Sequence, residues 1–311
     1  MRSGGRDLDL EIFTADADGS NITDITDNPS NDLWPSWSPD GSRIAFQSQR
    51  EWHGYPSVYV MDADGSNAKC LTPEKFACQF PEWSPDGVKI IYSSSRYSNF
   101  GTSGLDLFSM NPDGSSQMPI FKRAAFRGHL TYAQVCTSWF PDGKKIVFTS
   151  NTSGVAEIYN TALEDLDISN TLGVPEIYNT PLEDLDIKKY DICVKHGCYF
   201  KFPPSQEFVQ IGDFPTAVIS PDGQSLAFDY YDSITYERDI YVLDIGSGEI
   251  KCLTDNEPTN CYFPTWSPDG SKIAFTYEEV EGNPDIYVMD ADGGNPTLLI
   301  EDGMFPSWSR R

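Results

Sequence analysis

Apolar residues along this chain come in short alternating runs, and the runs repeat. Residues 43–46 read Arg-Ile-Ala-Phe and residues 272–275 read Lys-Ile-Ala-Phe, and a second kind of run reads Val58-Tyr59-Val60-Met61, Leu107-Phe108-Ser109-Met110, Ile240-Tyr241-Val242-Leu243 and Ile286-Tyr287-Val288-Met289. A period of two over four to six residues, rich in β-branched and aromatic side chains, predicts strands. No window keeps a period of 3.6, so no long helix is expected.

Turn residues separate the runs at fixed offsets. Trp37-Ser38-Pro39-Asp40-Gly41 precedes the first alternating run and recurs at residues 83–87, 139–143, 219–223 and 266–270, with a cut-off copy at 305–309. The prolines at 39, 85, 141, 221 and 268 are 46, 56, 80 and 47 residues apart. Turns such as Asp62-Ala63-Asp64-Gly65 follow the second run, and a short outer strand such as Lys69-Cys70-Leu71-Thr72 closes the unit. Four short antiparallel strands per unit of about 45 residues describe a propeller blade, because one such sheet buries both faces only by stacking against copies of itself.

The expected fold is therefore all-β, a six-bladed β-propeller of four-stranded antiparallel blades in a single domain over residues 1–311. The units fall at about 34–72, 80–121, 133–213, 214–254 and 263–300, and residues 9–28 with 304–309 form a closing blade shared between the two ends. That closing blade shows three recognisable strands. Either the ring closes on a thin blade or the sequence is a piece of a longer protein, and both readings stay open here.

The long step between prolines 141 and 221 holds a tandem copy. Residues 150–168 and 169–187 differ only at Ser153/Leu172, Ala156/Pro175 and Ala162/Pro181. One copy fits the third strand of its blade, and Pro175 and Pro181 make the second copy the poorer ladder member.

These elements resemble the repeats of TolB-type six-bladed propellers, which also occur beside the hydrolase domain of prolyl-oligopeptidase-like proteins. The resemblance covers nearly the whole chain and implies a fold far more than a function. It points to a periplasmic or extracellular location, although residues 1–30 carry no signal-peptide pattern. The α/β domain of TolB and the nucleophile elbow of the peptidases have no counterpart in the sequence.

Charge narrows the partners. The 47 acidic and 22 basic side chains give a formal net charge of −25. Nucleic acid is excluded, since phosphate binding needs a basic surface, and no apolar stretch is long enough for membrane insertion. Thirteen of the acids are aspartates of the repeated turns, so the bulk charge does not set the charge of a site. Asp16-Ala17-Asp18-Gly19 resembles half of a calcium loop, but it lacks the chelating glutamate and reads as a tight turn.

Strand direction puts all the repeated turns on one face and the variable loops on the other. On the loop face the residue types of binding hot spots gather: Arg50, Trp52, His53, Tyr55, Arg96, Tyr97, Phe100, Tyr231, Tyr236 and Arg238. The leading reading is a non-enzymatic, monomeric binding module or scaffold for a protein, peptide or glycan, with no cofactor and no catalytic residue. The alternative is a lyase or hydrolase acting on a small or saccharide substrate with a divalent metal held by His53, His129 and His196, as the resemblance to propeller lyases with histidine-bound metal implies. The pairs Cys70/Cys78 and Cys252/Cys261 span too much of a blade for a disulfide to be expected.

Overall fold

The computed structural model describes residues 2–3, 10–50, 54–72, 76–96, 105–120, 135–150, 157–162, 188–189, 216–232, 237–254, 260–279 and 283–309. Among these residues all regular structure is strand.

Five four-stranded units follow one another. The first comprises β5 (Asp32–Trp37), β6 (Arg43–Ser48), β7 (Ser57–Asp62) and β8 (Lys69–Cys70) in that spatial order. The second comprises β9 (Cys78–Trp83), β10 (Ile90–Ser94), β11 (Asp106–Met110) and β12 (Met118–Pro119). The third has β13 (Val135–Trp139), β14 (Lys145–Ser150), β15 (Glu157–Ala162) and β16 (Lys188–Lys189), so the first tandem copy stands in its ladder and the second lies outside the described residues. The fourth, β17 (Ala217–Ile219) to β18 (Ser225–Asp232), β19 (Glu237–Asp244) and β20 (Ile250–Cys252), joins the fifth through one parallel pairing, Arg238 with Asn260. The fifth contains β21 (Asn260–Trp266), β22 (Lys272–Glu278), β23 (Asp285–Asp290) and β24 (Thr297–Ile300).

Each second strand sends an aromatic ring into the space between units. Phe46, Tyr92, Phe148, Phe228 and Phe275 occupy the same place and are almost wholly buried, each contributing about 1.5–3 kcal/mol of transfer free energy. The turns are built by their own side chains. In the first unit Ser38 Oγ donates to Asp40 Oδ1 at 2.6 Å, the same oxygen accepts the Ser42 N–H at 3.0 Å, and the Arg43 N–H donates back to Ser38 Oγ at 2.9 Å. The Asp18 carboxylate accepts the N–H and hydroxyl of Ser20 in the same way, which accounts for this motif as a turn.

The glycine of the Asp-x-Asp-Gly turn does more than turn. At Gly65, with φ +85°, a Cβ would stand 2.2 Å from the carbonyl oxygen of Ile25, and at Gly19 one would stand 2.4 Å from that of Leu299. The turn of one unit thus lies directly against the outer strand of the unit before it, and these two contacts seat residues 10–26 between the fifth and first units.

The closing unit departs from the sequence expectation. Its strands are β1 (Arg2–Ser3), β2 (Leu10–Glu11), β3 (Phe13–Thr14) and β4 (Thr23–Asp24). Arg2 pairs with Glu11 in the register that Ser48 keeps with Ser57, so two residues near the start of the chain fill the loop-face end of the strand position that the sequence pattern left empty. Residues 305–309, expected as an innermost strand, belong to no sheet among the described residues. Phe305 is anchored instead by its N–H, which donates to Thr276 Oγ1 at 3.2 Å.

Candidate functional site

Six inner segments, around Trp34–Pro39, Phe80–Pro85, Ser138–Pro141, Thr216–Pro221, Phe263–Pro268 and Phe305–Trp308, line one central cavity of about 520 Å³. The inner strands are tied in series around it. The Trp83 N–H donates to Ser36 Oγ at 3.2 Å, the Ile219 N–H to Ser138 Oγ at 3.3 Å, and Trp266 Nε1 to the Val218 carbonyl at 3.2 Å.

At the loop-face end this cavity carries a cluster of rings. Trp34, Phe80, Phe263 and Phe305 hold the same place in four units, each followed by proline and each with φ of 56–57°. The left-handed conformation costs a bulky residue about 1–2 kcal/mol, so the surroundings must impose it. At Trp34, Phe80 and Phe263 a β-bulge does so: the ladders slip between Leu33 and Ser36, opposite Phe80 and Pro81, and between Tyr262 and Thr265, while Phe305 adopts the same conformation outside any sheet among the described residues. Proline suits the bulged position because it has no N–H to leave unpaired. The rings meet at the axis, where Trp34 lies edge-on to Phe80 at 4.8 Å and to Phe263 at 4.9 Å and tilted against Phe305 at 4.1 Å. The signal was present in the sequence as an aromatic–proline pair beginning three residues before Trp37, Trp83, Trp266 and Trp308, which sequence reasoning passed over.

The loop-face arginines are held within the chain. Arg50 Nη2 donates to the buried Asp32 carboxylate at 2.5 Å, and its guanidinium carbon lies 5.1 Å from the Tyr59 ring centroid and 5.4 Å from that of Phe46. Arg96 Nη2 donates to Gln117 Oε1 at 2.5 Å, with its guanidinium 5.2 Å from Phe108. Arg238 Nη1 stands 3.2 Å from Asp229 Oδ2, while Thr216 Oγ1 donates to Asp229 Oδ1 at 2.7 Å and the Thr216 N–H donates to that same oxygen. Burial pushes the Asp229 and Asp32 carboxyls above the usual carboxylate range, against the lowering effect of their arginines. Burial and the hydrogen bond from its hydroxyl to Glu278 Oε2, 2.8 Å long, likewise raise Tyr262. Each of these arginines is thereby fixed by a partner within the chain.

Tyr55 is exposed and Tyr231 half-buried. Trp52, His53, Tyr97, Phe100 and Tyr236 lie outside the described residues, as do His129 and His196, so the structure does not bring the proposed metal ligands together or hold them apart. Among the described residues no group of three His, Cys, Asp or Glu side chains is arranged to hold a metal ion. Cys70, Cys78, Cys252 and Cys261 are not joined in disulfides. No helix among the described residues is long and apolar enough to cross a membrane.

Comparison with known proteins agrees with this architecture. A family model described as TolB beta propeller domain matches residues 3–117 and 207–310. The structure of TolB from Acinetobacter baumannii superposes with a TM-score of 0.68 at 19% identity, covering 96% of this chain and 62% of that one. A TolB-type protein from Agrobacterium tumefaciens, described in its structure as putative TolB, gives a TM-score of 0.64 at 19% identity, covering 93% of this chain and 90% of the other. A 38-residue segment is 53% identical to Dipeptidyl-peptidase 5 of Porphyromonas gingivalis, which is 12% of this chain and 6% of that protein. This chain therefore spans less than two thirds of the A. baumannii protein, and its match to the peptidase is a short segment.

Proposed function

The chain belongs to the TolB β-propeller domain family, and from that premise we propose that it is a non-enzymatic binding module that recognises a protein, peptide or glycan on its loop face. The observation that carries this reading is the aromatic floor at the loop-face end of the axis. Trp34 and Phe305 are half-buried there, each with a left-handed backbone conformation. A rigid aromatic surface loses little entropy when a partner covers it, and such rings dominate binding energies. Arg50, Arg96 and Arg238 are fixed by Asp32, Gln117 and Asp229, so recognition falls to the aromatics of the loops, among which Tyr55 is exposed. With a formal net charge of −25, association with a basic partner is accelerated and with an acidic one slowed.

The test is capture of partners from a lysate of the source cells by immobilised protein, compared with a variant in which Trp52, Tyr97 and Tyr236 are all changed to Ala. Loss of the captured species supports the loop face. Capture that is unchanged in composition and amount moves the site elsewhere. The alternative, a metal-assisted lyase or hydrolase using His53, His129 and His196, requires stoichiometric metal in purified protein, and elemental analysis decides it.

A further inference from the structure

Among the described residues that line the axial cavity of about 520 Å³, Glu82 alone has an ionisable side chain. The rest of the wall is aromatic rings, prolines, small apolar residues and hydroxyls. Glu82 holds a place that recurs in every unit, directly before the inner-segment tryptophan or its counterpart Ile219. Ser36, Ser138, Val218, Thr265 and Ser307 stand there in the other units, so one place in six is charged. At two of these places the side chain reaches across to the next inner segment: Ser36 Oγ accepts the Trp83 N–H at 3.2 Å and Ser138 Oγ accepts the Ile219 N–H at 3.3 Å. A glutamate carries its oxygens further from the backbone than a serine does, and Glu82 is half-buried. A carboxylate accepts at about four lone-pair sites, so a hydrogen bond within the wall does not exhaust it.

Charge and rings together select a ligand class. A carboxylate on a concave, largely apolar wall favours an opposite charge and repels an anion. A divalent metal ion is poorly served, because among the described residues no three His, Cys, Asp or Glu side chains are arranged to hold one. An organic cation uses both features of the wall. Its charge is met by Glu82, and its apolar body covers rings that line the cavity and are half-buried, namely Trp34, Trp37, Trp266, Phe305 and Trp308. The inner tryptophans accept a cation already within the fold, since the Arg43 guanidinium carbon lies 4.7 Å from the Trp83 ring centroid. The cavity volume falls in the range of about 300–1,000 Å³ that small-molecule sites occupy.

We infer that the axial cavity binds a small organic ammonium ion, with its charged nitrogen on the Glu82 carboxylate and its apolar body against the half-buried rings. Glu82 sets the preference for a cation over a neutral molecule of the same shape, and the rings supply affinity that both kinds of molecule share. This site goes beyond the loop-face reading and does not depend on it, because it uses the inner segments and none of the loop aromatics.

The probes are phenylbutylamine, a cation at neutral pH, and phenylbutanol, a neutral molecule of nearly the same shape. Each is titrated against the whole chain and followed by tryptophan fluorescence, in about 0.5 M salt so that the exposed aspartates are screened. The expected results are saturable binding of both, with the amine about tenfold tighter, and slowed amide exchange at Trp83 and Trp139 when the amine is bound. Glu82→Gln keeps the shape and removes the charge, so it brings the amine to the affinity of the alcohol and leaves the alcohol unchanged. Asp64→Asn removes an equal charge from an exposed turn and leaves both affinities as they were. The variant with Trp52, Tyr97 and Tyr236 changed to Ala retains amine binding, which keeps failure of this site distinct from failure of the loop-face site. The comparison of amine with alcohol and the exchange measurement use the unaltered chain, so the proposal does not hinge on how Glu82→Gln folds. Equal affinity for the two probes, a preference that survives Glu82→Gln, or protection confined to the loops or turns overturns it. So does absence of amine binding up to about 1 mM.

Discussion

Trp34 and Phe305, which hold the same place in neighbouring units at opposite ends of the chain, meet with their ring centroids 4.1 Å apart and their planes inclined by 41°. The contact joins the first unit to the segment that closes the ring, and Trp34 also touches Phe80 and Phe263. Trp34→Ala removes all three ring contacts at once. The expected loss is about 3 kcal/mol, toward the lower end for a large aromatic because the ring is only half-buried, read as a lower midpoint in urea with an unchanged slope. A loss below about 1 kcal/mol means that the cluster does not hold the ring closed.

Arg238 and Asp229 form a buried pair whose disruption is expected to be asymmetric. Arg238→Met leaves the Asp229 carboxylate in the interior without its cation, a loss of about 3–5 kcal/mol. Combining it with Asp229→Asn recovers much of that loss, because the remaining amide still accepts from Thr216. A double-mutant cycle by chemical denaturation measures this, and simple additivity contradicts it.

Two glycines separate strain from contact. Gly65 and Gly143 both have positive φ, +85° and +66°, so alanine at either carries a backbone penalty of about 1 kcal/mol. At Gly143 a Cβ meets nothing within 4 Å, whereas at Gly65 it meets the Ile25 carbonyl at 2.2 Å. Gly65→Ala is therefore expected to lower the melting temperature several degrees further than Gly143→Ala. Equal shifts in a calorimetric scan rule out the interblade contact as the reason for glycine there.

Acid stability follows from the turns. Hydrogen bonds from the serines hold the Asp40, Asp86, Asp222 and Asp269 carboxyls below the usual range, Asp269 at about 2. A folded-state value below the unfolded one contributes stability above about pH 4 that is lost as pH falls toward about 2. Burial of Asp229 and Asp32 works in the opposite sense, but the lowered turn carboxyls, with Asp18, Asp64, Asp113 and Asp244 among them, are the more numerous. The urea midpoint is expected to fall between pH 6 and pH 3, and Asp269→Asn, which keeps the acceptor and removes the titration, narrows the difference. No narrowing would show that this turn is not the source.

The repeated strands and turns were legible because they are local. Alternation in Ile273-Ala274-Phe275 and the Ser-Pro-Asp-Gly spacing depend on residues within a few positions of each other. The roles of Arg50 and Arg238 were not, since each is decided by a carboxylate on another strand, Asp32 and Asp229, and a loop arginine looks the same whether it faces solvent or a buried acid. The pairing of Arg2 and Ser3 in the closing unit was missed, because two residues pairing in register carry no periodicity. The Asp-x-Asp-Gly motif reads in the sequence only as a tight turn, although the close neighbour of its glycine in the adjoining unit is an equal reason for glycine there.

The ring-bearing places fall on four contiguous units, the fifth, the closing, the first and the second. At the corresponding places the third unit has Cys136 and the fourth has Thr216, with no ring. A propeller of near-identical repeats would present the same surface at every step around its axis, so a body approaching along that axis could settle in several equivalent rotations. Here the aromatic arc and the gap opposite it mark a single azimuth. The molecule reads as pseudo-symmetric in its scaffold and handed in rotation at its centre, which gives a docked partner one orientation instead of several.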